Sequence, residues 1–579
     1  MKKSKVLSII LAAGLLATSF AGCSTEKRNT STTSAGKYAT AETWNVFDTF
    51  GNYQGIQSGW FAKVVKDKFN VTLNIIAPNV AGGGDTLFDT RSAAGNLGDL
   101  IMIGQDKLQN TIKAGLLFNM ATLMKDHGSY LSKYQLGVSN IQSVFKTGTA
   151  IYAIPCNVTT QSPTIPSEGQ EPVYGAYLRW DYYQAIGSPK LNTIDDLLPV
   201  LKEMQQKFPK SDSGKKTYAF SLFKDWDGDY MGTVKQIANM YGYDGGGNYG
   251  FLLANNDCTK TQDILDPNGY YVKALKLYFQ ANQEGLLDPD SPTQNYTTLF
   301  SKYQDGQILF SNYSFTGPSA YNTDAHKAEG KGYMMIPIAD EKIFSYGCNK
   351  YGNTYTVEIG SKAKDPARVM DFINWLYSPE GLEYMYDGPK GLTWEIKDGK
   401  PVETSFGLTA LPNSKVTVSA DWGGGTYSGG IDPFDNIWFV IGSEKDPNTG
   451  EPYDYTQWAS TITNSMTKLQ KSWNTAENAS CAKDYLVKQN QIAVEPGNNY
   501  INPIEDSTLQ AEENQCKSVV LQYSWKMCFA KDQATFDSLL KQMTAQVKGL
   551  GYDDLIKFDQ SEVDSMKAAR ANATKLASK

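Results

Sequence analysis

Hydrophobic residues follow two different periods along the first part of the chain. Residues 71–76 and 99–103 are short apolar runs rich in Val, Ile, Leu and Met, and they predict two strands. Residues 60–69 carry Trp, Phe and Val side chains at helical spacing and predict a helix directly before the first strand. The order helix, strand, helix, strand predicts α/β layers around a parallel-rich sheet.

A second α/β run follows further along the chain. Residues 177–181 predict a strand, and Thr193 begins a capping-box pattern that predicts a helix N-terminus. Pro199 lies inside this helical pattern and should bend the helix or shift its start. Residues 271–284 form another amphipathic pattern, after which Gly285 is suited to end the helix.

The second half of the chain divides into three kinds of pattern. Residues 332–337 form an apolar strand that ends at a proline, and residues 365–378 follow the i, i+3, i+4, i+7 rule of an amphipathic helix. Residues 387–515 are richer in Gly, Asn, Thr and Tyr and predict short elements joined by long loops. Residues 532–579 return to helical patterning.

The N-terminal residues have the three parts of a secretory signal peptide. A basic start is followed by the apolar residues 6–20 and by the small residues Ala21 and Gly22. Cys23 follows at once, which resembles the bacterial lipobox, where the cysteine thiol is acylated (with palmitate, for example). The alternative is a membrane-spanning helix, but the apolar run is shorter than the ~20 residues that a span requires. We expect residues 1–22 to be a signal peptide and residues 23–40 to be a lipid-anchored flexible tether.

Length and charge exclude some classes of function. The chain has 579 residues, more than a single hydrophobic core usually supports, so two or more lobes are expected. The formal net charge is −7, and it becomes −10 once the three lysines that precede Cys23 are removed. An acidic chain without a basic run is poorly suited to bind nucleic acid, so we expect no nucleic-acid partner.

The reactive side chains give little sign of catalysis. The six cysteines beyond Cys23 are scattered singly and only two histidines occur, so neither a zinc site nor a Ser-His-Asp type of centre is indicated. We expect buried thiols, no metal, no cofactor and no catalytic residue. Aromatic residues make up 12% of the chain, which suggests contact surfaces beyond the core, although core packing could also account for it.

Five segments occur in the order typical of one family. The segments are LRWD with TIDDLL (178–181 and 193–198), GLLDPDSPTQ (285–294), KYQDGQILF (302–310), FINWLYSPEG (372–381) and GLGYDDLI (549–556). Together they resemble the extracellular solute-binding proteins of carbohydrate ABC transporters, in the larger lipoprotein branch. Each segment alone is a weak signal, but five in order behind a lipobox are specific.

The resemblance implies an α/β, two-lobed fold like that of periplasmic binding proteins, with several hinge-crossing strands. It implies that lobe 1 comprises residues 41–153 and 332–378, and that lobe 2 comprises residues 154–331 and 379–579. The crossings would then fall near residues 153–157, 330–337 and 378–388.

The implied function is capture of a carbohydrate, an oligosaccharide in particular, and its delivery to ABC transporter permease subunits. We expect a monomer at the outer face of the cell membrane, attached through its lipid anchor only. Two alternatives stay open, a secreted glycoside hydrolase and a binder of a peptide or another non-sugar ligand. A hydrolase would need two facing carboxyl groups about 5–9.5 Å apart, and no spacing marks such a pair.

Sugars present hydroxyl edges and apolar faces, so a cleft for them combines aromatic platforms with fixed polar groups. The candidate ligand-binding residues are Trp44, Asn45, Phe47, Asp99, Arg179, Trp180, Asp225, Trp226, Asp227, Trp422 and Trp438. Several have a structural alternative: the first three could be core residues, Asp99 could cap a turn, and Arg179 could pair with a nearby aspartate.

Residues 225–229 carry three aspartates at alternate positions, a pattern that resembles the start of a calcium-binding EF-hand loop. The glycine is misplaced, and position twelve is Gln236 where an acidic residue is required. A loop that presents Trp226 beside a sugar-binding Asp225 or Asp227 fits the sequence better.

Overall fold

The computed structural model gives the protein two hydrophobic cores built around two main sheets. It describes residues 37–51, 53–81, 84–225, 227, 231–244, 250–411, 415–431, 433–434, 437–464, 466–500 and 507–577. The predicted signal peptide, the lipidation residue Cys23 and most of the predicted tether therefore lie outside the described residues, as does Trp226.

The strands are β1 Glu42–Asp48, β2 Gly55–Ile56, β3 Val71–Ile76, β4 Leu100–Gly104, β5 Ile154–Pro155, β6 Tyr174–Arg179, β7 Tyr243–Asp244, β8 Leu252–Asn255, β9 Thr261–Asp263, β10 Phe310–Tyr313, β11 Tyr333–Met335, β12 Ile343–Tyr346, β13 Tyr355–Ile359, β14 Trp394–Lys397, β15 Lys400–Glu403 and β16 Ile492–Glu495.

The helices are α1 Gly59–Phe69, α2 Pro78–Ala81, α3 Gly84–Ala93, α4 Gln105–Lys113, α5 Ala121–His127, α6 Gln135–Val144, α7 Trp180–Ala185, α8 Leu197–Lys207, α9 Gly232–Lys235, α10 Tyr270–Gln283, α11 Tyr296–Gln304, α12 Gly317–Tyr321, α13 Asp324–Glu329, α14 Pro366–Leu376, α15 Pro379–Asp387, α16 Gly407–Ala410, α17 Ala459–Asn464, α18 Lys468–Glu477, α19 Ala482–Lys488, α20 Ser507–Cys528, α21 Gln533–Lys548 and α22 Tyr552–Ala577.

Local sequence explains where the helices begin. The Asp365 side chain accepts the backbone N–H of Arg368 (3.1 Å), and Pro366 occupies the first turn of α14, where no backbone donor is needed. At α8, the Asp196 carboxylate accepts the N–H of Thr193 (3.1 Å), and a 3₁₀ turn over Ile194–Asp196 precedes the helix. Because α8 begins at Leu197, Pro199 lies in its first turn, which agrees with the prediction that Pro199 would shift the start of the helix.

The first sheet has the strand order β2-β3-β1-β4-β13-β5. Its centre is parallel, because β1 pairs in parallel with both β3 and β4, whereas β13 runs antiparallel to β4 and to β5. The second sheet, β10-β6-β11, is antiparallel. The expected α/β layers are present, but the first sheet is mixed, since two of its five strand pairings are parallel and three are antiparallel. Both faces of its strand β1 are covered by buried side chains.

Each hydrophobic core is assembled from two distant parts of the chain. The first core takes its large cluster from residues 44–158 and 357–453, and the second core takes side chains from residues 174–344 and 469–555. This grouping differs from the predicted lobe boundaries at three segments. Residues 154–158, predicted for lobe 2, pack in the first core because β5 belongs to the first sheet. Residues 333–344 pack in the second core because β11 is a strand of the second sheet, and residues 382–453 pack in the first core beside α14.

The chain therefore passes between the cores at residues 159–173, 345–356 and 454–468. The first crossing directly follows the predicted position, but the predicted crossings at 330–337 and 378–388 are wrong for the packing reasons given above. The crossings touch one another, since Pro166 forms a β-bridge with Gly347. Gly352 has a φ of +82°, and a Cβ there would lie 2.4 Å from the carbonyl oxygen of Cys156, so only glycine fits this contact.

Candidate functional site

The candidate site comprises the edges of the two main sheets that lie next to the chain crossings, and the space between these edges is called the cleft below. In the first sheet, β1, β3 and β4 end at one edge, and β13 begins there because Tyr355 pairs with Gly104. In the second sheet, β6 begins at Tyr174 directly after the first crossing, and its antiparallel neighbour β10 ends beside it at Tyr313. Ligand sites of α/β proteins commonly lie at the carboxyl ends of parallel strands.

The wall of the cleft on the first lobe carries two fixed aromatic surfaces. The ring of Phe50 lies 4.1 Å from the ring of Tyr355, measured between centroids. The carbonyl of Trp438 accepts the N–H of Asn157 (2.6 Å), which ties Trp438 to the start of the first crossing. The Trp438 side chain is 40% exposed, so one face of the indole is free to meet a ligand.

The wall on the second lobe is an aromatic cluster at the edge of its sheet. Tyr174 and Tyr313 are 5.8 Å apart, and Tyr313 lies 4.8 Å from Phe315. Phe315 is 40% exposed, and Tyr346, which ends β12 at the second crossing, is also exposed. The Tyr346 hydroxyl lies 3.4 Å from that of Tyr174. Aromatic rings and tyrosine hydroxyl groups therefore occur together at this edge.

The aspartates of the predicted cleft loop are partly occupied by the protein itself. Asp225 Oδ2 accepts the backbone N–H of Tyr296 (2.9 Å). Asp227 Oδ2 accepts the indole N–H of Trp525 (3.0 Å), and burial raises the pKa of the Asp227 carboxyl. These bonds hold the Asp225 and Asp227 carboxylates, and they leave Asp225, which is exposed, with acceptor capacity for a ligand hydroxyl.

A buried polar network holds the segment that leads into this loop. Asp288 Oδ2 accepts from Ser221 Oγ (2.6 Å) and from Lys302 Nζ (2.7 Å). Gln294 Nε2 donates to the carbonyl of Leu222 (2.6 Å), and Ser291 Oγ accepts the N–H of Leu222 (3.0 Å). The segment GLLDPDSPTQ therefore serves as a support behind the cleft loop, and a charge-assisted bond to a buried carboxylate is the strong kind.

Three of the predicted ligand-binding residues are core residues. Trp44 is buried against Phe372, with 5.8 Å between ring centroids, and Phe47 lies on the opposite face of β1, also buried. Trp180 is buried and its indole N–H donates to Ser472 Oγ (2.9 Å). Core packing therefore accounts for these three side chains, which are almost fully buried.

Asn45 and Asp99 lie away from the cleft. The carboxylate of Asp99 accepts the backbone N–H of Asn45 (2.9 Å), and the Asn45 side chain accepts from Asn74 Nδ2 (2.8 Å). Asp99 precedes β4, whose other end forms the edge of the cleft. These two predictions are therefore corrected: both residues join strands at the far side of the first sheet.

Arg179 has the structural role that the sequence left open. Its guanidinium forms two bonds to the Asp181 carboxylate (3.0 and 2.8 Å) and lies between the rings of Tyr182 and Tyr321, 4.0 and 4.1 Å from their centroids. The side chain is fully buried. Trp422 is half-buried against the first core, and its predicted contact with ligand stays a prediction.

Phe315, Tyr346 and the Phe50–Tyr355 pair were not among the predicted site residues. Phe315 lies five residues after the segment 302–310, one of the five that resemble the family, so its place in the chain was a signal that could have been used. Tyr346 and Tyr355 lie near the two ends of the second crossing, whose position the sequence did not reveal.

Two features are absent from the part of the chain that the structure describes. There, no group of three or more His, Cys, Asp or Glu side chains is placed to hold a metal ion. Among the same residues, no helix combines the length and the apolar composition needed to cross a bilayer.

Comparison with known proteins identifies the architecture. A family model described as bacterial extracellular solute-binding protein matches residues 55–383, which is more than half of the chain. No curated protein sequence matches the chain.

Solved structures with the same fold include three sugar-related proteins. One is the alginate-binding protein AlgQ2 without calcium ion (16% identity, 91% of this chain and 99% of that chain covered, TM-score 0.54). Another is an HMO-binding, ABC-transporter-associated solute-binding protein from Bifidobacterium longum infantis (14% identity, 90% and 99% covered, TM-score 0.56). A third is the S. pneumoniae ABC-transporter substrate-binding protein FusA in complex with kestose (13% identity, 91% and 99% covered, TM-score 0.52). The predicted two-lobed α/β fold is confirmed.

Proposed function

The chain belongs to the bacterial extracellular solute-binding protein family, and we propose that it captures an oligosaccharide in the cleft between its lobes and delivers it to an ABC transporter permease. The family is one of binding proteins, which favours capture over hydrolysis. The solved structures of the same fold are described as binding alginate, HMO and kestose, and this supports a carbohydrate as the ligand.

One observation carries the choice of ligand. Phe315, just beyond the end of β10, and Trp438, bonded to the start of the first crossing, each leave 40% of the residue exposed, although both belong to types that are usually buried. Exposed aromatic faces on both walls suit the apolar faces of sugar rings, and the Tyr346 hydroxyl with the Asp225 carboxylate suits their hydroxyl edges.

The arrangement of the crossings supports a hinge mechanism. Three chain segments join the lobes, so rotation about them would bring the two aromatic walls together around a sugar. A ligand that touches both walls binds the closed form better and shifts the population toward it. We propose that the permease recognises this closed form and that the binding protein acts as a monomer.

We also propose that the Cys23 thiol carries a lipid anchor and that residues 24–40 tether the lobes to the outer face of the membrane. The support is the signal-peptide pattern before Cys23 and the extracellular family. A C23S variant expressed in a bacterial host should shift from the membrane fraction to the medium. Retention of C23S in the membrane fraction would contradict the anchor without affecting the proposed ligand.

The capture function is tested by calorimetry across a panel of neutral and acidic oligosaccharides. We expect saturable binding of at least one glycan with a Kd near ~1 μM, which corresponds to about −8 kcal/mol, and recovery of the glycan intact. The double variant F315A/W438A serves as the control that lacks both aromatic platforms. Absence of binding across the panel, or release of reducing ends during incubation, would overturn the proposal.

A further inference from the structure

A groove that belongs to the second lobe alone lies apart from the cleft. It has a volume of about 560 Å³, within the usual range for sites that take small ligands. Each of its lining residues falls within the two stretches that build the second core, 174–344 and 469–555, and none belongs to the first lobe or to a crossing. A ligand held here would therefore touch one lobe only.

The floor of this groove is apolar and begins at the far end of β6. Tyr174 begins β6 beside the cleft, whereas Trp180 of the groove directly follows the last residue of β6. A strand of six residues is ~17–20 Å long, so on this side the length of β6 separates the groove from the cleft. Trp180 and Tyr183 lie buried beneath the groove, with 5.9 Å between their ring centroids. Leu191 and Ile336 continue the apolar floor.

The carboxylate of Glu477 lines the groove without a counter-ion. Glu477 is half-buried on α18, and among the described residues it has neither a hydrogen-bond donor nor a cation. Burial raises the pKa of its carboxyl group. Burial, followed by the charge of Glu477, raises the pKa of the Tyr183 phenol to about 12, and the same two causes raise the pKa of Tyr485. The carboxylate therefore lies close to both phenols, and a ligand ammonium group would supply the cation that it lacks.

A lysine lines the same groove. Lys190 is exposed, and within the described part of the chain it forms no ion pair, either with Glu477 or with another carboxylate. Gln491 adds a fixed polar group, since its Nε2 donates to the carbonyl of Ile338 (2.8 Å) and its Oε1 stays available as an acceptor. Two opposite charges that share a groove and leave each other unpaired suit a ligand that carries both an ammonium and a carboxylate group.

From this chemistry we propose that the groove is a second ligand site, which takes a free amino acid with an apolar side chain. The ammonium group of the amino acid pairs with Glu477, its carboxylate pairs with Lys190, and its side chain lies on the floor at Leu191 and Ile336. Because all walls of the groove belong to one lobe, the site does not require closure of the cleft. The protein can therefore hold an amino acid and an oligosaccharide at the same time.

The test measures the binding of leucine, and of two derivatives that each lack one charge, by saturation-transfer NMR titration of the purified protein. N-acetylleucine has no ammonium group, and leucinamide has no carboxylate. We expect leucine to bind at millimolar concentration and each derivative to bind at least ~10-fold more weakly, because each loses one charged partner. Failure of leucine to bind, or a derivative that binds as tightly as leucine, would overturn the proposal.

Two variants assign the two ends of the ligand. E477Q should weaken leucine binding at least ~10-fold and leave N-acetylleucine unchanged, whereas K190M should weaken leucine binding and leave leucinamide unchanged. The matched controls are E203Q and K471M, which remove exposed charges of α8 and α18 that do not line the groove. Both controls should bind leucine as the wild type does. Wild-type leucine affinity in E477Q and in K190M would refute the site.

The cleft variant F315A/W438A separates this site from the cleft. It should bind leucine with wild-type affinity, and a saturating glycan should leave the leucine affinity of the wild type unchanged. Loss of leucine binding in F315A/W438A would place leucine in the cleft and overturn the second site. Failure of the carbohydrate proposal is distinct, since it appears as absence of glycan binding in the wild type, whatever the result with leucine.

Discussion

The indole of Trp438 lies flat on the ring of Tyr386, with 4.6 Å between the ring centroids and 13° between the ring planes. Tyr386 is itself fixed, because its hydroxyl donates to the carbonyl of Val440 (2.6 Å). The exposed face of Trp438 is therefore a rigid platform, and a rigid platform loses little conformational freedom when a ligand binds.

Replacing Trp438 by alanine should lower glycan affinity about 10- to 100-fold, because a stacking aromatic at the centre of a site commonly contributes 2 kcal/mol or more. The fold should tolerate the change, since the side chain is partly exposed. Calorimetry gives the affinity and thermal unfolding gives the stability. Y130A is the matched control, because Tyr130 is similarly exposed (37%) but lies away from the candidate site. It lies beside α14, where its backbone N–H donates to the Asn374 side chain. Equal losses in both variants would contradict the platform role.

Replacing Lys302 by methionine should disturb the support behind the cleft loop. The buried Asp288 carboxylate would keep its hydrogen bonds from Ser221 and Gln294 but would lose the ammonium group of Lys302. An unpaired buried carboxylate should lower the free energy of unfolding by about 2–4 kcal/mol. Urea unfolding measures this cost, and calorimetry should show weaker glycan binding as the loop shifts. In contrast, K202M removes an exposed pair with Glu284 (2.9 Å) and should cost at most about 1 kcal/mol. If K302M and K202M have the same free energy of unfolding, the buried network around Asp288 does not stabilise this part of the second lobe.

Replacing Arg179 by lysine should destabilise the second lobe without changing glycan affinity. Lysine cannot form the two parallel bonds to Asp181 or stack between Tyr182 and Tyr321, and we expect a loss of about 2–4 kcal/mol. Denaturant unfolding and calorimetry on the same preparation separate the two quantities. A large loss of glycan affinity at unchanged stability would indicate that Arg179 binds the ligand.

Glu341 should make stability fall as pH rises. Burial raises the pKa of this carboxyl to about 8 in the folded protein, above its ordinary value of 4.5. The folded state therefore binds the proton of Glu341 more tightly than the unfolded state does. The contribution of this proton to the free energy of unfolding is fully present below about pH 4 and is lost as the pH rises toward 8.

The measurement is the thermal unfolding midpoint between pH 5 and pH 8. E341Q keeps the shape of a neutral carboxyl and cannot ionise, so it should raise the midpoint at pH 8 and reduce the slope across this range. E380Q is the control, since Glu380 is much more exposed. A pH slope identical in the wild type and in E341Q would contradict the assignment.

Sequence patterns predicted local elements well, because a capping residue or an apolar period acts within one or two turns. The start of α14 at Pro366 and the position of β3 follow from neighbouring residues alone. Trp44 and Phe47 were misjudged because β1 is covered on both faces, and burial on the second face depends on helices distant in the chain. The second and third crossings were also predicted at the wrong positions. Tertiary packing determines that residues 382–453 belong to the first core, and the local sequence does not show this.

The division of each core between distant parts of the chain also bears on how the protein folds. The first core lacks residues 357–453 until the intervening second-lobe segment has been made, and the second core needs residues up to 555. Contacts across such long separations form slowly, because the loop between them must close first. Neither core can therefore be completed until most of the chain has been made. Late folding of this kind suits a polypeptide whose family works outside the cell, because a chain that has not yet collapsed can still be exported.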